Sequence, residues 1–175
     1  LSLLDTRAYQ DGRVIVRVRA RSDSFLVVSQ RFTPVLRMLV TLYRVRSGAA
    51  PESLWEVPTN GVRAEDLAWP DDMAFIATGN NGVLPCAPAT RLAGSAVAVS
   101  GGKFVRAVDA DAGTVVAIGE SRTYAQFTRS GSKGETPINE VDRLTAIEPS
   151  EVSLVGNLAV ISEADQTVAA EPDEI

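Results

Sequence analysis

The sequence of 175 residues contains no histidine and only one cysteine. The absence of histidine excludes Ser–His and Cys–His catalytic pairs and histidine metal sites. A lone cysteine can form neither an internal disulfide nor a zinc-binding cysteine cluster. In VLPCAP, Cys86 is predicted to be a small buried apolar residue. These absences predict a protein without enzymatic activity and without a cofactor.

Long hydrophobic runs are also missing, since none approaches the ~20 residues needed to span a bilayer. The first residues, LSLLDTRAYQDG, lack the basic and apolar regions of an intact signal peptide. Because the sequence begins with Leu1 and not Met, we expect a chain that was trimmed or belongs to something longer. Hydrophobic residues at 45% and charged residues at 22% are typical of a globular protein outside the membrane.

Charge is distributed unevenly along the chain. Residues 1–50 carry nine arginines and three aspartates, a net charge of +6, whereas residues 51–175 carry −11. This asymmetry predicts an acidic partner for the first part, or head-to-tail contact between copies of the chain.

The stretch GRVIVRVRAR, residues 12–21, alternates with a period of two and predicts a strand. One face, predicted to be buried, holds Val14, Val16, Val18 and Ala20. The opposite face holds Arg13, Ile15, Arg17, Arg19 and Arg21. Because no aromatic residues or nucleic-acid motif accompany the arginines, we expect a solvated or intersubunit face and no binding of nucleic acid.

The next segments mix helix and turn signals. SFLVVSQRF predicts a second strand, and Thr33-Pro34 with apolar residues at helical spacing favours a helix up to Ser47-Gly48, although VTLYRVR is also typical of a strand. Residues 48–92 contain five of the nine prolines and both tryptophans, which indicates a loop-rich connection or arm. There, Trp55 and Trp69 suit the edge of a core or anchors on a partner.

The second half of the chain reads as further strands. Residues 95–99, 103–108 and 114–118 are predicted strands separated by Ser-Gly-Gly and acidic turns, and RTYAQFTR is predicted to extend or add a strand. Thr136-Pro137 opens a possible short helix through Leu144. VSLVGNLAVIS, residues 152–162, predicts a hairpin turning at Gly156-Asn157, before an acidic tail.

Three acidic motifs could form functional sites. Asp109-x-Asp111-x-Gly113 is a fragment of a calcium loop but lacks the remaining ligands, so a turn is favoured. The pairs Glu65-Asp66 and Asp71-Asp72 could serve acid–base chemistry, yet their adjacency in a Pro-rich stretch favours solvated charges.

One segment carries a family resemblance. In residues 93–121, a small-residue strand, a Gly-Gly-Lys turn, a Val-Arg-Ala-Val strand, an acidic loop and V-A-I-G-E-S follow in order. This order resembles the small β-barrel or β-sandwich proteins that decorate the heads of tailed bacteriophages. The matching positions are Gly94, Val97, Gly102, Lys103, Val105, Ala107, Gly113, Val116, Ile118 and Gly119.

The resemblance implies a virion structural protein on the capsid surface that stabilises the head through intersubunit contacts. Its partner would be the major capsid protein or another virion protein, and homo-oligomers, trimers above all, are expected. Interface residues would be Arg17, Arg19 and Arg21 against acidic patches, with Trp55 and Trp69 as anchors. The alternative function is a β-rich carbohydrate- or peptide-binding module, with Trp55, Trp69 and Tyr124 forming the contact surface.

Together these observations predict a mainly β fold, a small antiparallel barrel or sandwich with a loop-rich arm and one or two short helices. The predicted organisation is a basic β-rich segment over residues 1–50, a Pro/Trp-rich connection or arm over 51–92, a barrel-like domain over 93–162 and an acidic mobile tail over 163–175.

Overall fold

A computed structural model describes residues 12–32, 34–60, 63–99, 104–120, 123–129, 138–144, 149–155 and 158–163. These residues form antiparallel sheets, and the prediction of a mainly β fold is confirmed. No helix in the described ranges is long and apolar enough to cross a membrane. The segments 1–11 and 164–175, which include nearly all of the predicted acidic tail, lie outside the described residues.

Sheet A is a meander of four consecutive strands, paired in chain order. Its strands are β1 (Val14–Arg21), β2 (Ser24–Arg31), β3 (Arg37–Arg44) and β4 (Glu52–Asn60). The prediction of a helix after Thr33-Pro34 is therefore wrong, since strand β3 occupies this segment. β3 lies between β2 and β4 and is buried on both faces, so its β-branched residues are stabilised by pairing on two sides.

Sheet B occupies most of the predicted arm. It consists of β5 (Asp66–Ala68), β6 (Ala74–Ala77), β7 (Val83–Ala87) and β8 (Leu92–Ala93), with a short 3₁₀ helix at Pro88–Thr90. Residues 51–92 thus form sheet strands instead of a loop-rich connection, because their prolines fall in turns and at tolerated strand positions. At the β6–β7 turn, Gly82 has a φ of 87°, as the Asn-Gly signal suggested.

Sheets C and D complete the described chain. Sheet C contains β9 (Val105–Ala110), β10 (Thr114–Gly119), β11 (Thr123–Arg129) and β12 (Ile138–Leu144), and sheet D contains β13 (Pro149–Val155) and β14 (Leu158–Glu163). The possible helix through Leu144 is instead strand β12, whose backbone pairs with β11. Residues 95–99 contribute one bridge, between Val97 and Val83. The predicted Ser-Gly-Gly and Gly156-Asn157 turns fall outside the described residues.

The sheets stack face to face. One apolar cluster joins sheets A and B, a second joins B and C, and a third joins C and D. Two carboxylates reinforce the stack: Asp66 of β5 accepts the N–H of Val108 at 3.2 Å, and Asp109 of β9 accepts the N–H of Leu154 at 2.7 Å. Stacked four-stranded meanders resemble β-propeller blades, and the described sheets form no closed barrel.

Strand β1 turns only part of the face predicted to be buried toward sheet B: Val16 packs against the cluster between sheets A and B, whereas Val14 and Val18 are 53% and 45% exposed. The pairing register shifts between Ile15 and Arg17, which is a β-bulge. After the bulge, Arg17 and Arg19 lie on the side facing sheet B, whereas Val18 is exposed on the outer side. The alternation of apolar and charged residues predicted the strand, but the bulge and the contacts with Asp66 determine which side chains point toward sheet B.

Candidate functional site

An open cleft of about 220 Å³ lies where sheets A and B meet; we call it the Trp69 cleft. Its apolar lining comes from Leu42, Trp69, Pro88 and Ala89. Its polar lining comes from Arg21, Ser22, Asp23, Ser24 and Asp72. An apolar surface bordered by a few polar groups is typical of binding sites and of the anchor pockets of interfaces.

The β1–β2 turn supplies the polar side of the cleft. Arg21 pairs with Ser24, so the loop has two residues, and Ser22 has a φ of 52°. A positive φ is uncommon for a residue with a Cβ, and such strain is tolerated only where the surrounding structure holds it. The Ser24 hydroxyl donates to Asp23 Oδ1 at 2.9 Å, which fixes the carboxylate at the mouth of the cleft.

Trp69 lies beside this turn, in the loop between β5 and β6. Its ring packs against the apolar cluster between sheets A and B, and the Arg21 guanidinium lies over it at 6.0 Å from the ring centroid. The same guanidinium lies 3.5 Å from Asp72. The largely exposed carboxylates of Asp23 and Asp72 thus lie beside an aromatic ring, Asp72 near Arg21 and Asp23 at 3.9 Å from Arg44.

The loop carrying Trp69 is anchored from sheet C. Arg129 Nη1 lies 2.7 Å from Asp71 Oδ2 and Nη2 lies 3.0 Å from Oδ1, and the guanidinium also lies over Phe75 and donates to the Asp111 carbonyl. Asp71 Oδ1 further accepts the N–H of Met73 at 2.9 Å. Partial burial raises the pKa of Asp71, but the bonds from Arg129 and Met73 outweigh burial and leave that pKa below its usual value.

The prediction that the side chains of Glu65 and Asp66 are solvated is wrong. Asp66 is 5% exposed; its Oδ1 accepts a 2.8 Å bond from Arg17 Nε and lies 3.8 Å from Arg19 Nη2. Burial raises the pKa of Glu65 despite the nearby guanidinium groups of Arg63 and Arg106. Asp66 therefore acts as a structural contact between sheets A, B and C, since Val108 donates to its other oxygen.

The predicted interface residues occupy different environments. Arg17 and Arg19 approach Asp66 of their own chain, and Arg21 approaches Asp72 and Trp69. Trp55 is 9% exposed in the cluster between sheets A and B, so it fits the core alternative. Only Arg21 and Trp69 of the predicted set line the cleft.

Tyr124, the third aromatic residue of the predicted carbohydrate- or peptide-binding surface, packs between a different pair of sheets from the two tryptophans. It belongs to the cluster between sheets C and D, where its hydroxyl donates to Gln126 Oε1 at 3.2 Å. A second cavity of about 220 Å³ adjoins it, also lined by Asp111, Thr114 and Leu154. Trp55, Trp69 and Tyr124 therefore do not form one contact surface.

Other sequence motifs have structural roles. Asp111 Oδ1 accepts the N–H groups of Gly113 and Thr114 at 2.8 and 2.7 Å, which confirms the turn favoured over a calcium loop. Cys86 is buried, as predicted, and burial raises the pKa of its thiol to about 12. Sequence reasoning missed the turn residues Ser22 and Asp23; the dipeptide between two predicted strands was the available signal.

Comparison with known proteins identifies structures of similar fold but assigns the chain to no family. No protein-family model matches the chain, and no curated protein matches it. The N-terminal domain of Nup159 is similar with a TM-score of 0.53 and 10% identity, over 86% of this chain and 40% of that chain. The computationally designed Ika4 protein is similar with a TM-score of 0.61 and 15% identity, over 94% of this chain and 93% of that chain. This chain thus spans less than half of the Nup159 domain, and identities this low show a shared fold alone.

Proposed function

We propose that the chain is a non-enzymatic interaction module, and that the Trp69 cleft takes up a short segment of a partner protein. The observation that carries the proposal is the composition of the cleft: an aromatic ring and apolar neighbours beside exposed charged groups. Tryptophan and arginine are the residues most enriched at interface hot spots. A cleft of about 220 Å³ is large enough for one or two side chains of a bound segment.

The charges of the cleft define the chemistry of that segment. The lining contains Arg21, Asp23 and Asp72 and so carries a net charge of −1. Arg21 lies 3.5 Å from Asp72, and Asp23 lies 3.9 Å from Arg44, which does not line the cleft. Both carboxylates are mostly exposed and their arginine partners lie 3.9 and 3.5 Å away, which leaves them able to accept another cation. The best-suited segment has an apolar side chain next to a lysine or arginine.

The loops around the cleft are held before any partner binds. Asp71 and Arg129 fix the loop of Trp69, and the β1–β2 turn has only two residues. A preorganised site loses less conformational entropy on binding, so a small contact area can still give useful affinity. This rigidity supports recognition by a preformed surface.

The more specific prediction, a capsid protein as the partner, rests on the resemblance of residues 93–121. Its test is native mass spectrometry of the purified chain with and without capsids. Capsid-bound chain would support it, and chain that leaves capsids unoccupied would contradict it without affecting the proposal of a peptide-binding cleft.

The cleft itself is tested by selection from a displayed library of short random peptides. We expect wild-type protein to enrich peptides that pair an apolar with a basic residue, and Trp69→Ala to lose at least about tenfold in affinity for them, since a hot-spot truncation costs about 2 kcal/mol. Trp55→Phe is the matched control, because Trp55 lies in the core. No enrichment, equal enrichment by Trp69→Ala, or binding to a glycan array without peptide binding would overturn the proposal.

A further inference from the structure

The cavity beside Tyr124 lies between sheets C and D and has a volume of about 220 Å³; we call it the C–D cavity. Its floor is the side of sheet C that faces sheet D, and its roof is formed by Leu154 and Ala159, which lie opposite each other in the β13–β14 hairpin. In the described part of the chain, sheet C has four strands and sheet D has two. Because β13 packs over β9 and β10, strand β11 is covered only in part, and Gln126 on it is half-buried.

The floor of the cavity is polar, whereas the neighbouring part of the interface between sheets C and D is apolar. In that part, Ala107 and Ile118 pack with apolar residues of the hairpin. In the cavity, Thr114 of β10 and Gln126 of β11 lie on the same side of the sheet, and Asp111 lies at its end in the β9–β10 turn. Polar groups that converge on a partly enclosed cavity with apolar walls are typical of small-molecule sites.

Three groups of the floor can form further hydrogen bonds. Asp111 uses Oδ1 for the N–H groups of Gly113 and Thr114, and no hydrogen bond within the described ranges uses its Oδ2. Gln126 accepts a hydrogen bond from the Tyr124 hydroxyl through Oε1 at 3.2 Å, so its amide Nε2 keeps two N–H donors. The Thr114 hydroxyl has no hydrogen-bond partner among the described residues, and it can donate or accept.

These groups favour a neutral ligand. A cation would be attracted by Asp111 but would face the N–H donors of Gln126, and an anion would face the carboxylate of Asp111. A neutral molecule with adjacent hydroxyl groups satisfies all three groups of the floor, because each hydroxyl both donates and accepts. Val116, Leu154 and Ala159 provide apolar surface for the C–H groups of such a molecule.

We propose that the C–D cavity binds one ring of a neutral sugar. Drug-sized ligands occupy pockets of roughly 300–1,000 Å³, so a cavity of about 220 Å³ suits a single ring. Asp111 accepts a hydrogen bond from a sugar hydroxyl, Gln126 donates to a sugar oxygen, and Thr114 does either. The described residues that line this cavity and the Trp69 cleft are different, so the sugar site is separate from the site proposed for a peptide.

Titration of the isotope-labelled chain with monosaccharides, followed by amide NMR spectra, tests the proposal. The panel contains glucose, galactose, mannose and N-acetylglucosamine. We expect at least one of them to shift the amide signals of Gly113 and Thr114 saturably, because both N–H groups donate to Asp111. For a ligand of this size, the dissociation constant should lie in the millimolar range. The absence of a saturable shift with every sugar of the panel, or shifts confined to other parts of the chain, would overturn the proposal.

A pair of threonine variants separates binding from folding. Thr114→Val removes the hydroxyl from the cavity at nearly constant volume, and it should weaken sugar binding about tenfold, because a hydrogen bond to the ligand is lost. Thr128→Val is the matched control and should bind as wild type does, since Thr128 pairs with Thr114 but is exposed and does not line the cavity.

A second variant tests the carboxylate of the cavity. Asp111→Asn keeps an Oδ1 acceptor for the turn and replaces Oδ2 by an N–H donor, so it should also weaken sugar binding about tenfold. The amide spectra verify that each variant folds, and Gln126→Met replaces Thr114→Val if that variant does not. Sugar binding of wild-type strength by the cavity variants would contradict the assignment of the site.

Discussion

Asp71 and Arg129 form a two-point ion pair between the loop that carries Trp69 and the end of β11, with nitrogen–oxygen distances of 2.7 and 3.0 Å. The Arg129 side chain is only 10% exposed and lies over the ring of Phe75. A planar guanidinium satisfies both carboxylate oxygens at once, which lysine cannot do. The position of Trp69 in the β5–β6 loop therefore depends on a residue of sheet C.

This pair makes stability depend on pH in the acid range. Because the pKa of Asp71 is lower in the folded chain than its ordinary value of 3.8, the unfolded chain takes up the proton first as pH falls. Wild type should be about 1 kcal/mol more stable than Asp71→Asn at neutral pH. That advantage should shrink as pH falls below about 4 and vanish below the folded pKa.

Urea unfolding of both proteins between neutral pH and about pH 3 measures this difference. Asp72→Asn is the matched control, because Asp72 is largely exposed and lies 3.5 Å from Arg21. Its difference from wild type should stay small at every pH. An Asp71→Asn difference that stays constant across the range would contradict the prediction, because it would show that the charge of Asp71 does not contribute to stability.

Asp66 should contribute far more to the free energy of unfolding than its position in an acidic, Pro-rich stretch suggests. Asp66→Ala removes the acceptor of Arg17 Nε and of the Val108 N–H, and a buried N–H without an acceptor is costly. We expect a loss of about 2–3 kcal/mol in the free energy of unfolding, against less than about 0.5 kcal/mol for the exposed Asp72→Ala. Chemical denaturation measures both; equal losses would refute the role of Asp66 between the sheets.

Gly119 is required by close backbone approach at the end of β10. A Cβ there would lie 1.9 Å from the carbonyl oxygen of Phe104, which is backbone and cannot move aside. Gly119→Ala should cost about 3 kcal/mol. Gly113→Ala, where the nearest atom is 3.9 Å away, should cost less than about 0.5 kcal/mol. Thermal unfolding compares the two, and similar melting temperatures would contradict the contact.

The sequence predicted the strands whose patterns are local. Alternation located β1, the apolar run SFLVVSQRF located β2, and turn residues located the β9–β10 hairpin. Asp111 stabilises the predicted acidic turn, because its carboxylate accepts hydrogen bonds from two backbone N–H groups of the turn. Each of these signals arises from residues close together in the chain.

The failures involve partners distant in sequence. β3 has helical spacing, but pairing with both β2 and β4 determines its conformation. The orientation of β1 depends on Asp66, about fifty residues away, and on a bulge that alternation does not reveal. The 51–92 prolines suggested an arm because one sequence does not show which strand edges tolerate proline.

The Trp69 cleft was only partly predictable for the same reason. Trp69 and Arg21 are predicted interface residues because of their residue type, and the structure brings the β5–β6 loop, with Trp69 and Asp72, against the β1–β2 turn, with Arg21 and Asp23. Trp55 is predicted on the same grounds, but it lies opposite Leu42 on the edge strand β4 and is buried in the cluster between sheets A and B. Residue type indicates what a side chain can bind, and packing decides whether it is available.

The most direct test of the peptide-binding cleft is the fluorescence of Trp69. The chain has two tryptophans, so Trp55→Phe leaves Trp69 as the sole indole emitter. Titration of this variant with a peptide enriched by wild type should shift Trp69 emission saturably, with the dissociation constant of wild type. Binding with unchanged affinity and no change in Trp69 emission would contradict the account.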